Sequence, residues 1–179
     1  MKLLRTLITA SALMLPALAS AQDVKIDFDK AYDFSTVKTY SIAIGTKWGN
    51  DLSERRVLTE IDEAITAKGW KKVDAAQANA IVVLHGATQT KKSANTFYSG
   101  MGGYGYRGFG GGMGSAQTVV SEWAVGTLVV DIFDAKNKQL IFRGTAEDEI
   151  SDNPEKNAKR LEKASTKLFK DFPPKAKAK

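Results

Sequence analysis

The chain contains no cysteine and a single histidine, His85, in 179 residues. Without thiols there is no disulfide framework, no thiolate nucleophile, no zinc finger and no cysteine to carry an N-terminal lipid. A catalytic zinc takes about three protein ligands, commonly histidine or cysteine, and one histidine cannot supply them. No G-x-S-x-G elbow occurs anywhere in the sequence, so the usual α/β-hydrolase nucleophile is missing too. Beyond residue 18 no stretch approaches the roughly 18 to 20 apolar residues of a membrane-spanning helix. Charge of one sign is also lacking: 26 Lys plus Arg stand against 20 Asp plus Glu, a net charge of +6.

What is present begins with a leader. Lys2 and Arg5 accompany an apolar stretch from Leu3 to Leu18, and the small triplet Ala19-Ser20-Ala21 comes directly after it. A basic start, a short apolar centre and a small-residue exit describe a secretory signal peptide, residues 1–21. Cleavage after Ala21 leaves 158 residues (179 less 21) starting at Gln22, and losing Lys2 and Arg5 lowers the net charge to +4. The expected location is therefore periplasmic. A body of this size buries roughly 68–70% of its unfolded surface, enough for one core without disulfide or metal. One domain over residues 22–174 is expected, with a disordered basic tail at 175–179.

Period-two alternation of Val24, Ile26 and Phe28 predicts a half-buried strand, and Tyr40, Ile42 and Ile44 predict a second. From Asp51 to about Lys68, Leu58, Ile61 and Ile65 recur at helical spacing, with Asp51 and Glu54 placed as a capping box and Gly69 as the C-cap. The run Ile81-Val82-Val83-Leu84 reads as a central strand covered on both faces. Thr118 to Asp134 reads as a long strand that turns at 135–138 into Leu140-Ile141-Phe142. Asn153-Pro154-Glu155 opens a last helix, whose stripe Ala158, Leu161, Ala164, Leu168 and Phe172 ends at Pro173-Pro174. With one more short strand near 70–73, the order predicts an α+β two-layer sandwich: a mainly antiparallel sheet with both helices on one face.

Several of these segments together resemble the domain-of-unknown-function 4136 (DUF4136) family of exported, often lipoprotein-like envelope proteins. They are Tyr32-Asp33-Phe34-Ser35, Lys38-Thr39-Tyr40, Ala67-Lys68-Gly69-Trp70, Ala78 to Val83, Gly126 to Asp131, Leu140 to Gly144 and Phe172-Pro173-Pro174. The resemblance implies an envelope location and carries no reaction and no catalytic residues. It departs at Ala21-Gln22, where lipoprotein-like members have cysteine, so no lipid anchor is expected here.

The most unusual segment is a Gly/Tyr-rich loop at about 91–116, in which nine of the fifteen residues from Gly100 to Gly114 are glycine. Its Gly103-to-Gly108 stretch matches G-x-G-x-x-G in letters. Dinucleotide binding needs that turn to join a strand to a helix, and here a strand comes next. The bland account is a flexible connection. The functional one assigns partner contact to Phe97, Tyr98, Tyr104, Tyr106, Arg107 and Phe109, whose rings offer large contact area. Ser35-Thr36-Val37-Lys38 matches S-x-x-K without its partner motifs.

Lys163, Lys167 and Lys170, with Lys156, Lys159 and Arg160, make the last helix basic. They are candidates for contact with an anionic surface, each lysine worth about 1 kcal/mol near one. The blander account is a solvated face that complements the helix dipole. The acidic set Asp131, Asp134, Glu147, Asp148, Glu149 and Asp152 fits no EF-hand spacing and reads as a solvated face, with Asp131 near Arg143. The sequence thus points to a non-enzymatic envelope module that binds a protein or surface, with peripheral membrane contact left open. No cofactor, metal, catalytic residue or nucleic-acid partner is assigned. Two alternatives stay open: a hydrolase centred on His85 or the acidic set, and a carrier of a small apolar ligand.

Overall fold

A computed structural model describes residues 22–99 and 115–175. The leader, the segment 100–114 and the last four residues lie outside the described residues. The alternating segments form strands β1 (Asp23–Phe28), β2 (Thr39–Thr46), β3 (Lys71–Lys72), β4 (Ala80–Ser99), β5 (Ser115–Asp134) and β6 (Leu140–Glu149). The helically spaced segments form α1 (Asp51–Thr66) and α2 (Pro154–Leu168). All six strands make one sheet in the order β1-β6-β5-β4-β2-β3. The β1–β6, β6–β5 and β5–β4 ladders are antiparallel, while β2 pairs parallel with β4 and with β3. The chain is therefore an α+β fold of the expected class.

Side chains on a strand alternate between faces. Val82 and Leu84 of β4, Leu128, Val130 and Ile132 of β5, and Phe142 and Ala146 of β6 point to one face and are buried. Against them pack Val57, Ile61 and Ile65 of α1 and Ala164 and Leu168 of α2. Each such aliphatic side chain contributes about 1.5–3 kcal/mol on full burial, which is why the helix stripes and strand alternation agree on this face. Among the described residues no helix covers the other face, where Ile81 and Val83 are half-buried. The run 81–84 is central, as expected, but covered on one face only.

Topology fixes which end of the sheet the helices start from. β2, β4 and β6 run in the same direction, because β2 is parallel to β4 while β5 opposes both β4 and β6. α1 follows β2 and α2 follows β6 after short connections, so both helices start at the same end of the sheet and run back across it. Asn50 caps α1, its side-chain oxygen accepting from the N–H groups of Leu52 (2.9 Å) and Ser53 (3.2 Å). Asn50 and Asp51 are equally good cap residues, and the structure selects Asn50 rather than the expected Asp51. Asn153 caps α2 with Pro154 in its first turn, and Gly69 takes the left-handed conformation (φ 91°) past α1.

The stretch expected to be loop at 91–116 is in part strand. β4 and β5 stay paired from Ala80↔Asp134 out to Ser99↔Ser115, so residues 91–99 and 115–116 are strand rather than loop. β6 leaves β5 at Val125↔Glu149 and β2 leaves β4 at His85. Beyond those points β4 and β5 form a two-stranded arm that projects past the helices' starting end. At the opposite end Phe172 closes the core, with ring centroids 4.8 Å from Trp70, 5.3 Å from Phe142, 5.3 Å from Phe169 and 6.4 Å from Phe34.

Candidate functional site

The residues singled out by sequence do not converge. Phe97 and Tyr98 lie near the tip of the arm, in register with Gln117 and Ala116. Tyr104, Tyr106, Arg107 and Phe109 lie outside the described residues. Lys163 and Lys167 are exposed on one side of α2, with Lys170 exposed just past its end. The acidic set is dispersed, and most of its members are engaged locally. Asp134 caps the β5–β6 turn, accepting from Tyr32 Oη (2.6 Å) and the N–H groups of Lys136 and Asn137 (2.9 Å each), and the Tyr32 bond leads in holding its carboxyl below the ordinary range. Lys91 lies 3.6 Å from Glu147, and Arg160 lies 3.9 Å from Asp148 and 3.7 Å from Glu149.

One small polar cluster does form, on the sheet face opposite the helices. Arg143 grips Asp131 with both arms of its fork, Nε to Oδ1 at 2.6 Å and Nη2 to Oδ2 at 2.5 Å, as the cross-strand register Asp131↔Arg143 predicts. That hydrogen bond is the main reason the guanidinium is held above its usual pKa. Asp131 is not part of a solvated face: it is only 2% exposed. His85 Nε2 stands 3.9 Å from the same carboxylate, and its Nδ1 is 2.9 Å from Thr46 Oγ1. A bulge between Ile44 and Thr46 turns the Thr46 side chain toward His85. Gly45 leaves room for the ring, since a Cβ there would lie 2.2 Å from His85 Cε1.

A further concavity lies elsewhere, between the starting turns of α1 and α2. It is a cleft of about 390 Å³, within the range of small-molecule sites. Its floor is the end of the sheet, where Gly126, Thr88 and Ala146 replace the bulky residues that fill the core further along. Asn50, Ser53, Arg56 and Val57 of α1 form one wall; Ala158, Leu161 and Ala164 of α2 form the other. Trp48 stands at the rim, its indole directly over Gly86, where a Cβ would come within 2.0 Å of the ring. Gln22 reaches in from the start of β1, donating from Nε2 to Asp148 Oδ2 (2.8 Å) and to the Arg160 carbonyl (2.6 Å). Its Oε1 is buried without a hydrogen-bond partner.

Sequence reasoning did not find this cleft. Gly86, Gly126 and Ala146 sit on three strands, and only the register brings them side by side. The one local signal was Trp48 in an otherwise polar connection between a strand and a helix.

Comparison with known proteins places this architecture. The family model for the domain of unknown function DUF4136 matches residues 24–174. A solved DUF4136 family protein from Bacteroides thetaiotaomicron is similar in fold, with a TM-score of 0.51 and 12% identity over 85% of this chain and 96% of its own. PelC from Paraburkholderia phytofirmans, solved as a dodecamer, gives 0.50 and 10% over 83% of this chain and 95% of its own. A PDZ domain protein from Parabacteroides distasonis gives 0.53 and 14% over 86% of this chain, which spans only 36% of that protein. At such identities the likeness is one of fold. No curated protein matches the chain.

Proposed function

Since the chain belongs to the DUF4136 family, whose function is unknown, we propose from its own residues that it is an exported, non-enzymatic binding module of the cell envelope, and that it binds in the cleft between α1 and α2. The observation that carries this reading is the floor of small residues, Gly126, Thr88 and Ala146, which leaves a concave space where a packed core would otherwise continue. The leader at 1–21 supports export. The aromatic residues at the arm tip and the lysine stripe of α2 are further contact candidates, for a partner protein and an anionic surface respectively.

Two measurements test the reading. Fractionation with mass spectrometry of the N-terminus is expected to find the chain in the periplasm beginning at Gln22; the intact leader on cytosolic protein would overturn export. Native mass spectrometry of protein taken from its own envelope is expected to show a bound small molecule that Ala146→Leu, which fills the floor, removes. Equal loading of both forms would overturn the role of the cleft.

A second reading has one observation behind it. Thr46, His85 and Asp131 line up a hydroxyl, an imidazole and a carboxylate in the order of an activated nucleophile, although only Thr46 and His85 are within hydrogen-bond reach (2.9 Å) and Asp131 stands 3.9 Å off. It lies on the open sheet face rather than in the cleft, and Arg143 engages both carboxylate oxygens. Ester hydrolysis that disappears in both Thr46→Val and His85→Ala would favour it.

A further inference from the structure

The cleft's polar groups carry information about what it takes. Among the described residues, the side-chain donors of Trp48, Asn50, Ser53, Arg56 and Thr88 make no hydrogen bond within the protein, and all five residues line the cleft. Gln22 Oε1 is the complementary feature, a buried acceptor with no donor. Such an orphan costs about 1–3 kcal/mol unless something supplies a donor. Asn50, Arg56 and Thr88 are exposed to water, so a ligand that enters must accept hydrogen bonds from them in water's place, and one that also donates satisfies Gln22 Oε1.

Charge narrows the class. Glu147 shares the odd-numbered positions of β6 with Arg143 and pairs with Lys91 on the face away from the helices, and Asp148 and Glu149 stand beside Arg160, which leaves Arg56 as the one lining charge without an ion pair among the described residues. Two carboxylates beside two guanidiniums give an anionic headgroup no net attraction, and a cation would face Arg56. A neutral polar ligand fits this balance best. Shape narrows it further. The Trp48 indole is fixed against Gly86, so it offers a flat apolar plate at the rim of an open cleft. A plate for C–H faces, surrounded by free hydroxyl, amide and guanidinium donors and one buried acceptor, matches a molecule that is apolar on its ring faces and hydroxylated at its edges.

We infer that the cleft is a saccharide-binding site, with the sugar face against Trp48 and a hydroxyl donating to Gln22 Oε1. This rests on the reading of the cleft as the binding site and deepens it. The sugar's ring and linkage oxygens accept from Ser53, Arg56 and Thr88, and Asn50 borders the same space.

The test is an NMR titration of the processed chain, with amide shifts of Thr88, Gly126 and Ala146 reporting on the cleft. Three probes are used separately: maltotriose, N,N′,N″-triacetylchitotriose and decanoate. The inference expects at least one trisaccharide to shift these amides. Trp48→Ala is expected to weaken that binding about 10-fold or more, from loss of the aromatic plate and its contact area. Gln22→Leu removes the acceptor and is expected to weaken binding about 5-fold or more. Shifts from decanoate alone would overturn the saccharide assignment while leaving the cleft a binding site. No shift from any probe would overturn both. Saccharide binding unchanged in Trp48→Ala would overturn the proposed pose and with it the assignment.

Discussion

The placement of Trp48 over Gly86 makes a sharp prediction for Gly86→Ala. The added Cβ would lie 2.0 Å from Cε2, 2.2 Å from Nε1 and 2.4 Å from Cδ2 of the indole. Carbon contacts need roughly 3.5 Å, so the ring must retreat by roughly 1.5 Å. Trp48 sits in the short connection before α1 and is half-buried rather than enclosed. If it surrenders about 100 Å² of contact, at 25 cal/mol per Å² the loss is about 2.5 kcal/mol. Replacing glycine in a strand returns about 0.5–1 kcal/mol, leaving a net destabilisation of about 1.5–2 kcal/mol. Urea unfolding measures that net value, and a red-shifted tryptophan emission with easier acrylamide quenching reports the displaced ring. The decisive comparison repeats the substitution in a Trp48→Ala background. With no ring to displace, Gly86→Ala should become stabilising by about 0.5–1 kcal/mol. Destabilisation of equal size in both backgrounds would refute the packing argument, as would stabilisation in the parent chain.

Other expectations arise from the core and its polar neighbours. Phe172→Ala removes a ring that is 5% exposed and touches four aromatic partners, and should lower stability by about 3–5 kcal/mol in chemical denaturation. Tyr40, wholly buried and donating to Asp62 Oδ1 at 2.6 Å, is pushed up to about 12, chiefly by burial and then by that bond. Because it ionises near pH 10 when unfolded, its contribution is intact below pH 10 and lost between about pH 10 and 12. That step is worth about 3 kcal/mol, read as the difference between wild type and Tyr40→Phe across this window. Arg143→Met strands the Asp131 carboxylate and should destabilise by about 1–3 kcal/mol. That is less than for a fully buried pair, because the arginine is half exposed; unfolding midpoints measure it.

The parts of the fold that were legible share one property: they bury one face. The stripe Leu58, Ile61 and Ile65 and the long strand to Asp134 announced themselves because water had to be excluded from one side only, while β1, read from Val24, Ile26 and Phe28, is more open than its alternation suggested, with Ile26 44% exposed. The arm had no such side. Lys91, Lys92 and their neighbours are exposed, and glycine dominates the sequence from 100 to 114, so periodicity carried no signal there and the strands looked like loop. The cap of α1 was ambiguous for a different reason, two adequate residues standing next to each other. The Asp131–Arg143 pair was legible through hairpin register, but Thr46 was not, since only a bulge turns it toward His85. The cleft was the least accessible, being made by small residues from separate strands.

The β4–β5 arm sets a distance. Ser115 lies ten ladder positions past Val125, where β6 stops, which places the arm's tip roughly 30 Å beyond the body. That span is about the width of a small protein domain. Like a cantilever, the ribbon holds its outer end clear of the groove at its root, so neither crowds the other.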